Sequence, residues 1–284
     1  MKNNTLLFLL LFVFSNTIAF AQQPIKLIVR ADDMGYHNDI NHAIIKAHKE
    51  GIVTSASIMP ASLFFDEGVK LCKENPELAV GLHIAVMGTG FRPVLSPEEV
   101  PTLVDARGYF FDTREELDKA NPDPADYEKE IRAQIDKAIR SGLRFVYMDY
   151  HMDPPEIVAD IVRKICLEQK VIYGQNTSGS QNGYTWVYND FESWPSQTLP
   201  DGALAYYDTT NMPEEKKQMF YDLLENLKPG TLILAVHPGL VGKERSDVTA
   251  LLCSQKARDI IKNRNIQLIN FADLWEEEYG KSKP

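Results

Sequence analysis

The stretch Lys26-Leu27-Ile28-Val29-Arg30-Ala31-Asp32-Asp33-Met34-Gly35 decides the fold. A short apolar run bounded by a turn residue reads as a buried parallel strand, and this one ends in two adjacent carboxylates and a glycine. Carboxylates at the end of a buried strand are costly unless something compensates them, and a bound cation is the usual compensation. Asp32 or Asp33 could equally cap the helix that follows. The histidines further along decide between the two readings.

Outward from that strand, the chain alternates between helix and strand patterns. The spacing predicts a helix over 38–50, with Ile40, Ala43, Ile44 and Ala47 on one face and Gly51 as its stop. Strands are expected at 52–59 and 78–84, with a helix at 62–75 between them. Residues 86–124 form a connection longer than ordinary ones, which reads as a functional loop or a small insertion. A helix at 126–140, a strand at 145–150, a helix at 154–169 and a short strand at 171–174 follow. The next loop, 175–212, carries Tyr184, Trp186, Tyr188, Phe191, Trp194, Tyr206 and Tyr207. Its rings offer flat faces to sugars, or they anchor the loop by burial. A helix at 213–227, a strand at 231–236, one helix at 246–264, a seventh strand at 266–270 and a closing helix complete the pattern. Such alternation implies an α/β protein: a distorted, TIM-barrel-like (β/α) barrel of about seven parallel strands, its wall incompletely closed.

Residues 1–21 read as a secretory signal peptide, with Lys2, an apolar run over 6–14 and the cleavage pattern Ala19-Phe20-Ala21. The run falls short of the ~20 apolar residues that a spanning helix takes. The expected product is a single barrel domain over 22–284, periplasmic or secreted. Without Lys2, 29 basic side chains face 40 acidic ones, a net charge of −11. That balance argues against nucleic acid or an anionic membrane as partner. Cys72, Cys166 and Cys253 are widely spaced in predicted helices and read as small buried hydrophobes, although an exported chain could oxidise one pair.

Each histidine of interest stands where a strand ends. Period-two alternation puts Gly81, His83 and Ala85 on one face; Asp149 and His151 share a face; His237 closes the run 232–237 before Pro238-Gly239. With Asp32 and Asp33, four strands deliver ionisable groups at their C-terminal ends, the rim where parallel barrels build active sites. An aspartate and two histidines form a credible three-ligand set that leaves a position for water. His37, His42 and His48 read as surface residues, His37 being the one near enough to reach the rim.

At this point the chain resembles the YdjC-type carbohydrate deacetylases, a group that includes chitooligosaccharide deacetylases. The resemblance rests on Arg30-Ala31-Asp32-Asp33-Met34-Gly35, Val80-Gly81-Leu82-His83, the run 100–110, Met148-Asp149-Tyr150-His151 and His237-Pro238-Gly239, in that order. It implies a distorted barrel that removes acetyl groups from N-acetylated sugars with a divalent cation, Mg²⁺ or Zn²⁺. It also implies roles: Asp32 as general base, Asp33, His83 and His151 as metal ligands, and His237 as acid. Asp149, Asp153, Arg30 and Arg92 are candidates to support the ligands or meet substrate. Two positions depart from the family pattern. His151-Met152-Asp153 stands where His-x-His is common, and Arg30 stands where a small polar residue is common.

The chemistry agrees independently, since amide hydrolysis needs an activated water, a stabilised oxyanion and a proton for the leaving amine. The alternatives are another metal-dependent amidohydrolase or esterase, and a metal-bearing sugar-binding protein without chemistry. A glycoside hydrolase ranks lower, because adjacent Asp32 and Asp33 are expected on opposite faces of their strand.

Overall fold

The structure, a computed structural model, describes residues 23–175, 183–192 and 212–280. The signal-peptide reading and Trp194, Tyr206 and Tyr207 lie outside the described residues. Among the described residues no helix is long and apolar enough to cross a membrane.

The sheet is built on β1 (Ile25–Met34). Along one edge β1 pairs in parallel with β7 (Gly230–Val236), from Ile25 opposite Gly230 to Ala31 opposite Val236. Its other edge is shared. β8 (Gln267–Leu268) takes Lys26 and Leu27, and β2 (Ser55–Ile58) takes Arg30, Ala31 and Met34. β3 (Ala79–Ile84), β4 (Tyr147–Tyr150) and β5 (Ile172–Tyr173) extend the sheet beyond β2, and β6 (Tyr184–Trp186) extends it beyond β7. Every pairing is parallel, so the chain must cross over between strands.

Helices supply those crossovers and cover the outer face. They are α1 (Asn38–Glu50), α2 (Phe65–Glu74), α3 (Arg114–Ala120), α4 (Pro124–Arg140), α5 (Glu156–Gln169), α6 (Glu214–Glu225), α7 (Lys243–Leu252), α8 (Gln255–Asn263) and α9 (Phe271–Tyr279). The wall curls so that its two edge strands meet: the Tyr184 hydroxyl of β6 donates to the Tyr173 carbonyl of β5. The α/β barrel expectation therefore holds, with seven strands in the wall.

The strand count agrees for a partly different reason than the sequence suggests. β6 lies inside the aromatic loop, where three residues are too few for a period to show. The expected strand at 266–270 is only the two-residue β8, attached at the foot of β1 outside the wall's order. The single helix expected over 246–264 is two, because Ser254 ends one and caps the next by accepting from the Ala257 amide. Cys253 consequently sits between helices and half-buried, whereas Cys72 and Cys166 are buried. The stretch 86–124 contains α3, started by a reciprocal capping box between Thr113 and Glu116.

Two apolar layers hold the barrel. The larger packs the outward residues of the strands, such as Leu27, Val29, Leu82 and Leu234, against the helices. The smaller fills the barrel floor with Ile28, Ala79, Tyr147, Ile172, Tyr184, Ile233 and Phe271. Phe271, at the start of α9, stacks on Tyr147 with ring centres 3.9 Å apart. Gly81 is required beside them, since a Cβ there would stand 2.3 Å from the Tyr147 ring. One alternation step higher, the inward positions turn polar: Arg30, Ser57, His83 and Asp149, all buried. A dry floor beneath a buried polar layer is the setting of the site.

Candidate active site

The end of β1 is irregular. Ala31 lies opposite Ala56 and Met34 opposite Ile58, so β1 spends three steps where β2 spends two. Asp33 absorbs the extra residue in the left-handed region, at φ 71°. The bulge corrects the expectation that Asp32 and Asp33 face opposite sides. Each places a carboxylate oxygen within 4.8 Å of a His83 ring nitrogen. Gly35, at φ 93°, then turns the chain into α1, where Asn41 accepts from its amide.

Asp33, His83 and His151 converge as their strand-end positions imply. Asp33 Oδ1 stands 3.2 Å from His151 Nδ1 and 3.5 Å from His83 Nε2. Both are ion-pair approaches rather than hydrogen bonds, so this fully buried oxygen has no hydrogen-bond partner among the described residues. Atoms bound at ~2.1 Å around a tetrahedral Zn²⁺ stand ~3.4 Å apart, which matches both distances. One carboxylate and two imidazoles therefore fit a divalent cation. His83 is oriented for that task by Asp149, whose Oδ1 takes its Nδ1 at 2.7 Å and leaves Nε2 facing Asp33. Asp149 is itself held by the Ser57 hydroxyl at 2.6 Å.

Asp33 Oδ2 accepts from Arg245 at 2.6 Å. Burial would raise the Asp33 carboxyl, but the facing His151 and His83 rings outweigh burial and hold it well below the usual range. For His83 burial works downward, yet Asp149 outweighs it and the ring rises to about 10. Ligation displaces such protons, so cation uptake at this cluster is pH-dependent.

Arg30, 2 % exposed, occupies the layer just below. Its guanidinium donates to both Asp32 oxygens at 2.7 Å and to the Gly174 carbonyl at 2.6 Å, forms an ion pair with Asp149 Oδ2 at 2.8 Å, and lies over the Trp186 ring. A second gathering of possible ligands, Asp32, His83 and Asp149, is thereby already occupied by a guanidinium. Burial pushes Asp32 upward in pKa, and Arg30 overrides it to leave the carboxyl below its ordinary value.

His237 stands at the end of β7, its side chain 42 % exposed at the rim. Glu192 accepts from its backbone amide at 2.7 Å and meets Nδ1 at 2.8 Å. Burial lowers the ring's pKa, while Glu192, Asp33 and Asp32 raise it further, to about 9. Phe91 packs edge-on to His151 and against Tyr36, opening a groove of about 560 Å³ lined also by His37, Phe64, Val241 and Arg245.

Two of the sequence-derived candidates stay apart from this cluster. Asp153 is exposed, and its backbone carbonyl, rather than its carboxylate, meets Arg114. Arg92 is exposed and stacks on Tyr109 in the long insertion. Ser57, Glu192 and Arg245 belong to the site and were not singled out. Ser57 had a signal, since it is inward-facing on β2. Glu192 and Arg245 had none, as Glu192 lies on a connection with no strand period and Arg245 on α7 rather than on a strand.

Fold and site together define a (β/α) barrel with a buried carboxylate–imidazole cluster at the C-terminal rim of its strands. The chain belongs to the YdjC-like protein family, whose model matches residues 26–263. It is 28 % identical to the carbohydrate deacetylase of Brevibacillus brevis over 264 residues, covering 88 % of this chain and 99 % of that one. It is likewise 28 % identical to the carbohydrate deacetylase of Enterococcus faecalis, with 88 % and 98 % covered. The crystal structure of an Enterococcus faecalis protein, named as a proposed cellobiose-phosphate cleavage protein, shares the fold. Its TM-score is 0.71 at 22 % identity, over 88 % of this chain and 99 % of that one.

Proposed function

We propose that this protein is a metal-dependent carbohydrate deacetylase, which hydrolyses the acetamide of an N-acetylated sugar to acetate and a free amine. The observation that carries the reading is Asp33 Oδ1, a buried oxygen with no hydrogen-bond partner among the described residues that faces a nitrogen from each of two histidines. The carbohydrate deacetylases related along nearly the whole chain support the substrate class. Asp33, His83 and His151 would hold the cation, with Zn²⁺ ahead of Mg²⁺ because two of the three donors are imidazoles. When bound, a divalent cation lowers the pKa of water and polarises a carbonyl.

This chain's own residues supply the rest. Asp32 is the proton acceptor: Arg30 keeps it ionised, and each of its oxygens retains a second lone pair for a water. His237, across the rim, is the proton donor that lets nitrogen depart as an amine. Asp149 and Ser57 hold His83 in the tautomer that ligates through Nε2. The exported location read from residues 1–21 belongs to the same proposal.

Acetate release from a panel of N-acetylated mono- and oligosaccharides tests it. Turnover should stop with chelator, return with Zn²⁺ or Mg²⁺, and be absent in His151→Ala together with cation binding. Turnover that survives exhaustive chelation refutes the metal role. Sugar binding without acetate release leaves only a binding protein, and release from acetyl esters alone makes it an esterase.

A further inference from the structure

Glu192 is an ionisable group at the rim that neither the metal cluster nor the proton acceptor uses. It lies on the connection after β6, which climbs beside β7 and meets every second residue of that strand. The Val187 amide donates to the Ile233 carbonyl, the Asn189 side chain to the Ala235 carbonyl, and Glu192 receives the His237 amide. The connection thus behaves as an extension of β6 in which side chains take over the sheet's hydrogen bonds. Its last step delivers a carboxylate to the ring that ends β7.

We propose that Glu192 is the positioning residue of the proton donor: its carboxylate fixes His237 with the proton on Nδ1, aims Nε2 at the departing amine, and keeps the ring an imidazolium. The proposal rests on the deacetylase reading for its place in a reaction. Its core, the state of the His237 ring, is measurable without turnover.

The geometry leaves little alternative. Glu192 Oε1 takes the backbone N–H of His237 at 2.7 Å, and Oε2 takes ring Nδ1 at 2.8 Å. Two donors require two acceptors, and among side chains of this length only a carboxylate has two. A glutamine offers one oxygen and one NH₂. If its oxygen stays on the backbone amide, its NH₂ faces Nδ1, which must then be unprotonated. The proton moves to Nε2 and the ring becomes neutral. If the amide is turned the other way, its NH₂ meets the backbone N–H. The fixed amide bond therefore makes Glu192 a holder of one tautomer, and its charge favours the protonated ring.

Glu192 is the near charge on that ring. Among the described residues, Asp33 and Asp32 at the end of β1 also raise its pKa. Those two already face His151, Arg245 and Arg30. Removing the Glu192 charge should let the ring fall from about 9 toward the ordinary histidine value. At pH 8 the protonated fraction would then drop about fourfold for a fall of ~1.5 units and about thirtyfold for a full return to the ordinary value.

The experiment compares wild type, Glu192→Gln and Glu192→Asp by NMR titration of the His237 ring and by pH–rate profiles. Wild type should show a ring protonated at Nδ1 that titrates near 9, and Glu192→Gln one that titrates at least ~1.5 units lower. Glu192→Asp, which keeps two acceptor oxygens, should lie between them. On an N-acetyl sugar the alkaline limb of kcat should move down by the same amount, with KM nearly constant. An activated aryl acetate, whose phenolate leaves unprotonated, should be largely spared.

A wild-type His237 that titrates near 6.5, or one protonated only on Nε2, overturns the proposal from the parent protein alone, even if Glu192→Gln does not fold. An unchanged titration in Glu192→Gln overturns it too. If the ring shifts as expected and no N-acetyl sugar turns over in wild type, the positioning stands and the deacetylase reading fails instead.

Discussion

Arg30→Met isolates the polar layer beneath the site. The substitution keeps side-chain length and removes a cation that holds three groups: both oxygens of Asp32, one of Asp149, and the Gly174 carbonyl. Asp149 keeps His83 and Ser57, whereas Asp32 loses the guanidinium that holds both of its oxygens. Breaking a buried ion pair by deleting one partner costs ~3–5 kcal/mol, because a charge is left uncompensated. A domain of this size holds about 5–15 kcal/mol in all. Arg30→Met should thus remove about a fifth or more of the stability, read from the urea midpoint at constant slope. Replacing both partners removes the stranded charge, so Arg30→Met with Asp32→Asn should regain ~1–3 kcal/mol over the single variant. A loss below ~1 kcal/mol, or a double variant no better than the sum of its parts, would refute the view that Arg30 neutralises this layer.

Three further outcomes are expected. Asp32→Asn should still bind Zn²⁺ in a calorimeter yet lose ~10²–10⁴-fold in turnover; retained turnover would move the proton acceptor to another group. His237→Ala should lose a similar factor on N-acetyl sugars and much less on aryl acetates; equal losses would assign His237 to the oxyanion instead. Glu130 of α4 is buried while it accepts from the Val94 and Leu95 amides and from Gln134, and burial outweighs those bonds to raise it from 4.5 to about 7. The folded chain therefore holds an extra proton between those values, and wild type should lose ~3 kcal/mol of stability from pH 4.5 to 8 that Glu130→Gln does not lose. Parallel stability–pH curves would count against it.

How much was legible follows from which features are local. A strand's apolar run and the residue that ends it are neighbours in sequence, so Asp33, His83, His151 and His237 could all be found at strand ends. The order of the strands let them be placed on one rim. The bulge at Asp33 could not be read, because it exists only as a mismatch between β1 and β2 and no residue announces it. Glu192 and Arg245 reach the site through non-local pairing, one along β7 and the other from the start of α7. Arg30 was legible as a departure from the family pattern, but its role was not. Inward-facing Arg30 acquires meaning only once Asp149 and the Gly174 carbonyl arrive from β4 and the end of β5. Asp153 and Arg92 show the converse, since a suggestive sequence position turned outward in both.

The shared edge of β1 has a consequence for assembly. The first strand made is completed by some of the last residues, Thr231 and Gln267 opposite Lys26. Contacts of such sequence separation are paid in loop-closure entropy before they return anything, which makes them slow. A nascent chain holding Asp33, His83 and His151 would have β2 beside the upper part of β1 but would still lack β7, β8 and the Phe271 ring that seats on Tyr147. A C-terminal deletion that removes only α9 would spare every candidate site residue, yet it should abolish the site by taking the Phe271 ring out of the barrel floor and uncovering Tyr147. Loss of activity in such a truncation would report on folding and say nothing of chemistry.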